Sequence, residues 1–376
     1  MNQAVRLSRD GLYFIQMKRI VFISLLLLSQ FTFAQKAESL EFYPPNWWTN
    51  MPEEELQLMV FGVTGSTKVF VAEGSEVQIL GQQRTDNEQY VFLDIKIPSS
   101  YSKNSFEINF NDNGVEVTVD YPLFERDDSP NIHRGLTTED LIYLIFPDRF
   151  ANGNPDNDIN PTLTDTRVIR DSLKTRHGGD IQGIRDKLFH LRALGATAMW
   201  INPLLTNDQP WESYHGYAAT NQYEIDPRFG TLQEYIDLVK ECHQSGIKVI
   251  KDIVFNHLGA NHHLIKNLPS KDWIHHWDGF QRTSYRAPTL MDPYASESDK
   301  KIMTDGWFDY HMPDLNQQNE LLANFLIYNS IWWIEMTGID AYRIDTYAYS
   351  DEGFMARWAK VIKNYYPTFN FFGETW

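Results

Sequence analysis

From residue 36 to about 125 the chain breaks into short apolar stretches, alternating or β-branched. They are 55–61, 68–72, 89–97, 105–110 and 115–119, punctuated by Gly62, Gly74, Gly81 and Asn113-Gly114. Alternation with a period of two and turn residues at regular spacing predict a small β-sandwich of immunoglobulin-like type over residues 35–130. From about residue 138 the pattern changes to strand, helix, strand, helix. Buried strands are expected at 141–146, 196–201, 246–254, 339–345 and 369–373. Between them, Ile181, Ile184, Leu188, Leu191 and Leu194 recur at helical spacing. Further helices are expected at 231–245, at 317–336 with Leu321, Phe325, Asn329, Trp332 and Met336 on one face, and at 353–363. Repeated βα units without a dinucleotide glycine fingerprint predict a (β/α) TIM barrel over residues 131–376, with about five units present; a doubly wound sheet is the structural alternative. Some sixty residues, about 256–316, separate the third strand from its helix. A connection that long tends to be functional and is read as an inserted domain at the C-terminal rim.

Composition narrows the partners. The chain has 376 residues, 42% hydrophobic and 14% aromatic, with a net charge of −17. Such an acidic balance argues against nucleic acid or an anionic membrane and fits a neutral substrate. The aromatics suit sugar faces or cores equally; the run Phe42 to Trp48 offers both readings, a sugar grip or packing against the next domain. Cys242, the only cysteine, lies on an apolar helical face with Leu232, Tyr235, Ile236 and Val239, as a core thiol would. Lys18-Arg19 precede the apolar run Ile20 to Leu28, and Thr32-Phe33-Ala34 offers a cleavage site before Gln35. Residues 1–34, with Met17 as an alternative start, therefore read as an export signal, and the mature protein as periplasmic or secreted with no stable membrane anchor. A homodimer through the N-terminal domain is compatible with this.

The candidate chemistry lies near the C-terminus, in Gly338-Ile-Asp-Ala-Tyr-Arg343-Ile-Asp345 and Gly373-Glu374. In a strand, residues i and i+2 face the same way, so Arg343 and Asp345 project together near the strand's C-terminal end. A guanidinium beside a carboxylate favours its charged form, as a nucleophile requires. Glu374 ends the next strand, roughly 4.8 Å away. Two carboxyls so placed approach the separation of about 5–5.5 Å expected of a retaining glycosidase, with charged Asp345 favouring a protonated Glu374. A structural ion pair is the plain alternative.

More motifs stand in order along the strands: Gly195 to Trp200-Ile-Asn-Pro203, Tyr214-His215-Gly216-Tyr217, Asp252-Ile-Val-Phe-Asn256-His257 and Met312-Pro-Asp-Leu-Asn316. With these the chain, from about residue 36 onward, resembles the α-amylase superfamily of glycoside hydrolases, and most closely its cyclomaltodextrinase and neopullulanase group. The resemblance implies hydrolysis of α-1,4 bonds, with α-1,6 bonds open, in cyclodextrins, pullulan, starch or maltooligosaccharides by double displacement. It casts Asp345 as nucleophile, Glu374 as general acid/base and Arg343 as the residue that orients the nucleophile. It places His257, Tyr217 and His215 against the sugar, with Asp252 and Asn256 shaping the strand end. A glucan-binding protein without turnover and a transglycosylase on the same site are the rival readings.

Asn152, Asn154, Asn157, Asp158 and Asp180, with the Gly178 carbonyl, could supply the six or so hard oxygens that calcium takes. The group is similar to a calcium site of the family, and a solvated Asn/Asp/Gly turn is the alternative. The pairs His262-His263 and His275-His276 lack zinc spacing and read as surface or subsite residues. Two departures matter. Ala348 and Tyr349 stand where α-amylases carry Lys-His. The family's third carboxylate, from an Asn-His-Asp motif after the seventh strand, has no counterpart. Five countable strands and the missing motif make the chain an expected N-terminal portion of a longer enzyme, without the last three βα units, the third acid or a C-terminal sandwich.

Overall fold

The computed structural model describes residues 40–129 and 132–375; the signal read at 1–34 lies outside the described residues. Two four-stranded sheets form the N-terminal unit. The first runs β1 (Glu41–Tyr43), β3 (Glu55–Phe61), β6 (Tyr90–Lys96), β5 (Gln78–Gln83), and the second β2 (Trp47–Thr49), β8 (Val115–Glu125), β7 (Ser105–Asp112), β4 (Lys68–Phe70). All pairings are antiparallel except β2 with β8. Every expected strand is present, and β8 runs six residues further than its alternation suggested. The pattern reading missed β1, β2 and β5. β5 is mostly exposed and carries a register shift at Gly81, so its side chains give no clean alternation.

The second unit is a sheet of five parallel strands, β9 (Ile142–Ile145), β10 (Ala198–Ile201), β11 (Lys248–Val254), β12 (Ala341–Asp345) and β13 (Asn370–Gly373). Spatial order follows chain order without reversal, as in part of a barrel; a doubly wound sheet would reverse at a switch point. β9 and β13 are its edges, and Ile142 and Leu144 of β9 are 40% and 49% exposed.

Helices connect the strands. The expected helix over 181–194 is two pieces, α1 (Ile181–Asp186) and α2 (Leu188–Ala193), which meet at Lys187. Ile181, Ile184, Leu188 and Leu191 are buried as the spacing requires, whereas Leu194 is exposed. α3 (Leu232–Gln244) starts with a reciprocal capping box between Thr231 and Glu234 and buries Tyr235, Leu238, Val239 and Cys242. The inserted segment carries α4 (Glu297–Asp305). α5 (Glu320–Thr337) ends where Gly338 turns left-handed at φ 71° and donates its N–H to Ile334 at 2.9 Å. α6 (Glu352–Tyr365) is capped by Asp351.

α5 differs from its expected single apolar face: it is buried nearly all round. The N-terminal unit covers its other side. Trp332 donates to Asn46 at 2.9 Å, Asn324 to Gln57 at 2.9 Å, and Trp47 meets Tyr328 edge-on. Trp47 and Trp48 are 2% and 4% exposed, and Tyr43 stacks on His263. The Phe42–Trp48 run is therefore packing between units, and the sugar-grip reading does not hold: its indoles have no free face.

Candidate active site

β11, β12 and β13 bring their C-terminal ends together because they pair in register, Asp252 opposite Arg343, Val254 opposite Asp345 and Ile344 opposite Gly373. Arg343 is the hub. Its Nη1 donates to Asp252 at 2.9 and 3.0 Å and to Asp345 Oδ1 at 2.8 Å, and its Nη2 pairs with Glu374 Oε2 at 2.9 Å. One planar guanidinium thus indexes three carboxyls from three adjacent strands, which a flexible ammonium could not do. Trp200 and Tyr217 lie against it, at 4.8 and 5.7 Å from guanidinium carbon to ring centre.

The three acids differ in access. Asp252 is 1% exposed; besides Arg343, its Oδ2 accepts from Trp200 at 2.9 Å and from Tyr217 at 3.0 Å. It sits behind the site as an anchor for Arg343 and Tyr217. Asp345 is buried at 6% exposure, while the Glu374 side chain is 32% exposed. Burial pushes the Asp345 carboxyl up to about 8; Asp252 and Glu374 add to this, and Arg343 opposes it. Burial likewise raises Asp252 to about 6 against Arg343 and its hydrogen bonds. Three carboxyls around one cation carry more charge than it neutralises, which disfavours ionisation of the two buried ones. The expectation that Arg343 alone settles the charge of Asp345 is thus too simple: burial and the two neighbouring acids weigh against it.

Thr346 follows Asp345 in the left-handed region, φ 46° and ψ 43°, where a β-branched residue is strained. Its N–H donates to Glu374 Oε2 at 3.1 Å and its hydroxyl to Asp345 Oδ2 at 3.3 Å. It was missed in the sequence because nothing in residue order announces that backbone turn. Trp200 and Asn202, which donates to the Tyr217 hydroxyl, were legible in principle, being two apart at a strand end.

Tyr217 also donates its N–H to His215 Nδ1 at 2.9 Å, and the two rings stack 5.9 Å apart. His215 supports Tyr217, and burial pushes it down to about 4. His257 stacks on Phe308 of the inserted segment at 5.2 Å, and Asn256 Nδ2 lies 3.3 Å from its Nδ1. Burial pushes His257 down to about 3, so its ring is neutral, and among the described residues its Nε2 lacks a hydrogen-bond partner. A neutral imidazole with an unused nitrogen suits a hydroxyl ligand. A cavity of about 760 Å³ is lined by Tyr347, Ala348, Tyr349, Asp351 and Thr375, the residue after Glu374, and by His275 and Asp305 of the insertion, with none of the three acids in its wall. Ala348 and Tyr349, the departure noted in the sequence, thus shape this cavity.

The oxygen-rich group after β9 is also brought together. Asn152 donates to Asp158 at 2.6 Å, and Gly178, at φ 86°, lies so close to both that a Cβ there would meet Asp158 Oδ1 at 2.4 Å. The amide oxygens of Asn152 and Asn157 are buried without partners among the described residues. Asp180 is already engaged, accepting from Gly153, Asn154 and Gly183 as the cap of α1, and Asn154 accepts from Asp156. Among the described residues no cluster of three His, Cys, Asp or Glu could hold a metal. A cation here would draw mainly on amide and main-chain oxygens.

Acids gathered around one arginine at the C-terminal ends of adjacent parallel strands form the candidate site, and the comparisons place the chain in a family. Residues 144–376 match the α-amylase catalytic domain and residues 41–127 the cyclomaltodextrinase N-terminal domain. The chain belongs to the α-amylase superfamily and, over these residues, to its cyclomaltodextrinase/neopullulanase-like group. The cyclomaltodextrinase of Thermoanaerobacter pseudethanolicus is 33% identical over 245 residues, 64% of this chain and 40% of that protein. Neopullulanase 2 of Thermoactinomyces vulgaris is 30% identical over 343 residues, 86% of this chain and 53% of that one. The solved α-amylase of Anoxybacillus superposes with a TM-score of 0.54 at 35% identity, covering 63% of this chain and 47% of that one. The chain spans about half the length of these relatives.

Proposed function

We propose that this protein is a retaining glycoside hydrolase acting on α-glucans such as cyclodextrins, maltooligosaccharides, pullulan or starch. The observation that carries the reading is the shared guanidinium: Arg343 bonds Asp345 and Glu374 at once, at 2.8 and 2.9 Å. Strand ends about 4.8 Å apart bearing two carboxyls suit a retaining pair, which needs about 5–5.5 Å.

In this reading Glu374, the more exposed acid, gives its proton to the glycosidic oxygen as Asp345 attacks the anomeric carbon. Water then displaces the sugar from Asp345, with Glu374 taking the proton back. His257 and Tyr217 hold the sugar, and Asp252 fixes Arg343 and Tyr217 from behind. Calcium would bind Asn152, Asn157, Asp158 and the Gly178 carbonyl, with Asn154 and Asp180 shaping the loop. Its role there is to hold the turn after β9, distant in sequence from the acids. The N-terminal sheets are read as an immunoglobulin-like sandwich, and the mature protein as exported.

Assay of reducing-sugar release from maltooligosaccharide and β-cyclodextrin tests the reading. Release that Asp345→Asn and Glu374→Gln abolish supports it; release unaffected by either change refutes it.

A further inference from the structure

The pairs His262-His263 and His275-His276 found no place in this chemistry, yet His275 is built into the site's support. Residues 312–316 lie between the end of β11 and residues 273–275 as the centre of a small three-segment sheet. His257 bridges Asp314, and Leu315 donates its N–H to Asn256 at 2.8 Å on one side. On the other, His275 donates to the Asp314 carbonyl at 3.0 Å, and Asn316 to Trp273 at 3.0 Å.

Side chains join the same segments at two points. His275 Nδ1 lies 2.7 Å from Asp314 Oδ2. The Asp314 carboxyl is 1% exposed, and its Oδ1 has no hydrogen-bond partner among the described residues. Asn256 Nδ2 lies 3.3 Å from His257 Nδ1. A buried carboxyl is costly unless paired, so the imidazole determines where Asp314 can sit. Burial raises Asp314 and lowers His275. The far side of His275 faces the cavity, where Asp305 lies 4.0 Å from its Nε2.

We propose that His275, acting through Asp314, is a positioning residue for Asn256 and His257, tying the inserted segment to the strand end that presents His257 to the sugar. That His257 meets a sugar rests on the function proposed above; the link from His275 to His257 does not.

The test is imidazole NMR of the full chain with selectively labelled histidine, comparing His275→Leu, His275→Asn and Asp314→Asn. The asparagine at 275 keeps a donor near the place of Nδ1. The His257 Cε1–Hε1 signal should move or broaden in His275→Leu and Asp314→Asn and stay near wild type in His275→Asn. Maltotriose affinity, by calorimetry, should weaken roughly two- to thirtyfold in the first two. A His257 signal unchanged in the folded leucine and Asp314→Asn proteins overturns the proposal, as does His275→Asn behaving like His275→Leu. If the leucine protein does not fold, the other two variants decide. Wild-type protein that shows the His257 shift pattern but does not bind maltotriose leaves the link standing and counts against the glucan reading instead.

Discussion

Thr346 donates its main-chain N–H to Glu374 Oε2 at 3.1 Å while its hydroxyl reaches Asp345 Oδ2 at 3.3 Å, so one residue spaces the two acids. Its left-handed backbone costs about 1–3 kcal/mol for such a residue. Thr346→Gly keeps the N–H and relieves the strain. Its urea-derived stability should lie within about 1 kcal/mol of wild type, although a residue 1% exposed ordinarily loses more on truncation to glycine. A loss of several kcal/mol would show that the turn is not strained.

Arg343 pairs with three carboxyls through one guanidinium. Arg343→Lys keeps the charge but not the fork, and it should lower kcat roughly 10²–10³-fold with a smaller change in KM. Equal kcat in the lysine protein would mean that point charge, not geometry, is what the acids require.

The crowding of acids has a pH signature. The Asp345 carboxyl is raised to about 8 by burial, then by Asp252 and Glu374. A folded-state value above the ordinary one, about 4, means that ionisation opposes folding. The cost starts as pH rises past the ordinary value and is complete above the raised one. Asp345→Asn removes it, so the variant should match wild type near pH 4 and exceed it by roughly 1–3 kcal/mol at pH 8–9. Denaturant melts at both ends of that range check the sign; a gap that closes with rising pH contradicts it.

Calcium, if it binds at Asn152, Asn157, Asp158 and Gly178, stabilises by mass action, by about 2.7 kcal/mol at a hundredfold excess over Kd. Thermal melts should rise with calcium and fall with chelator, and Asp158→Ala should abolish the response. A response that survives Asp158→Ala places the ion elsewhere.

The aromatic run near the N-terminus should act on stability. Asn46→Ala leaves the buried Trp332 N–H without its partner and should cost about 1–3 kcal/mol. Retardation in amylose gels by the folded variant should equal that of wild type.

Much of this was legible in residue order. Alternation located β3, β6 and β7, and the i, i+2 rule put Arg343 and Asp345 on one face, because a strand's geometry leaves little freedom. The single-face reading of α5 failed because an apolar helix does not record that two layers cover it. Asp252 was read as shaping the strand end, but a carboxylate's sequence position does not reveal that Trp200, Tyr217 and Arg343 use its oxygens. The His275–Asp314 contact joins residues 39 positions apart inside an irregular insertion, where no periodicity operates.

The central claim is that Asp345 attacks the sugar. The direct measurement is mass spectrometry after treatment with a fluorinated α-maltosyl fluoride, which forms a glycosyl-enzyme that hydrolyses slowly. The peptide containing Asp345 should gain one fluorinated maltosyl unit in wild type and none in Asp345→Asn. Attachment to a different carboxyl, or turnover of maltooligosaccharide with inversion at the anomeric carbon, would contradict the assignment.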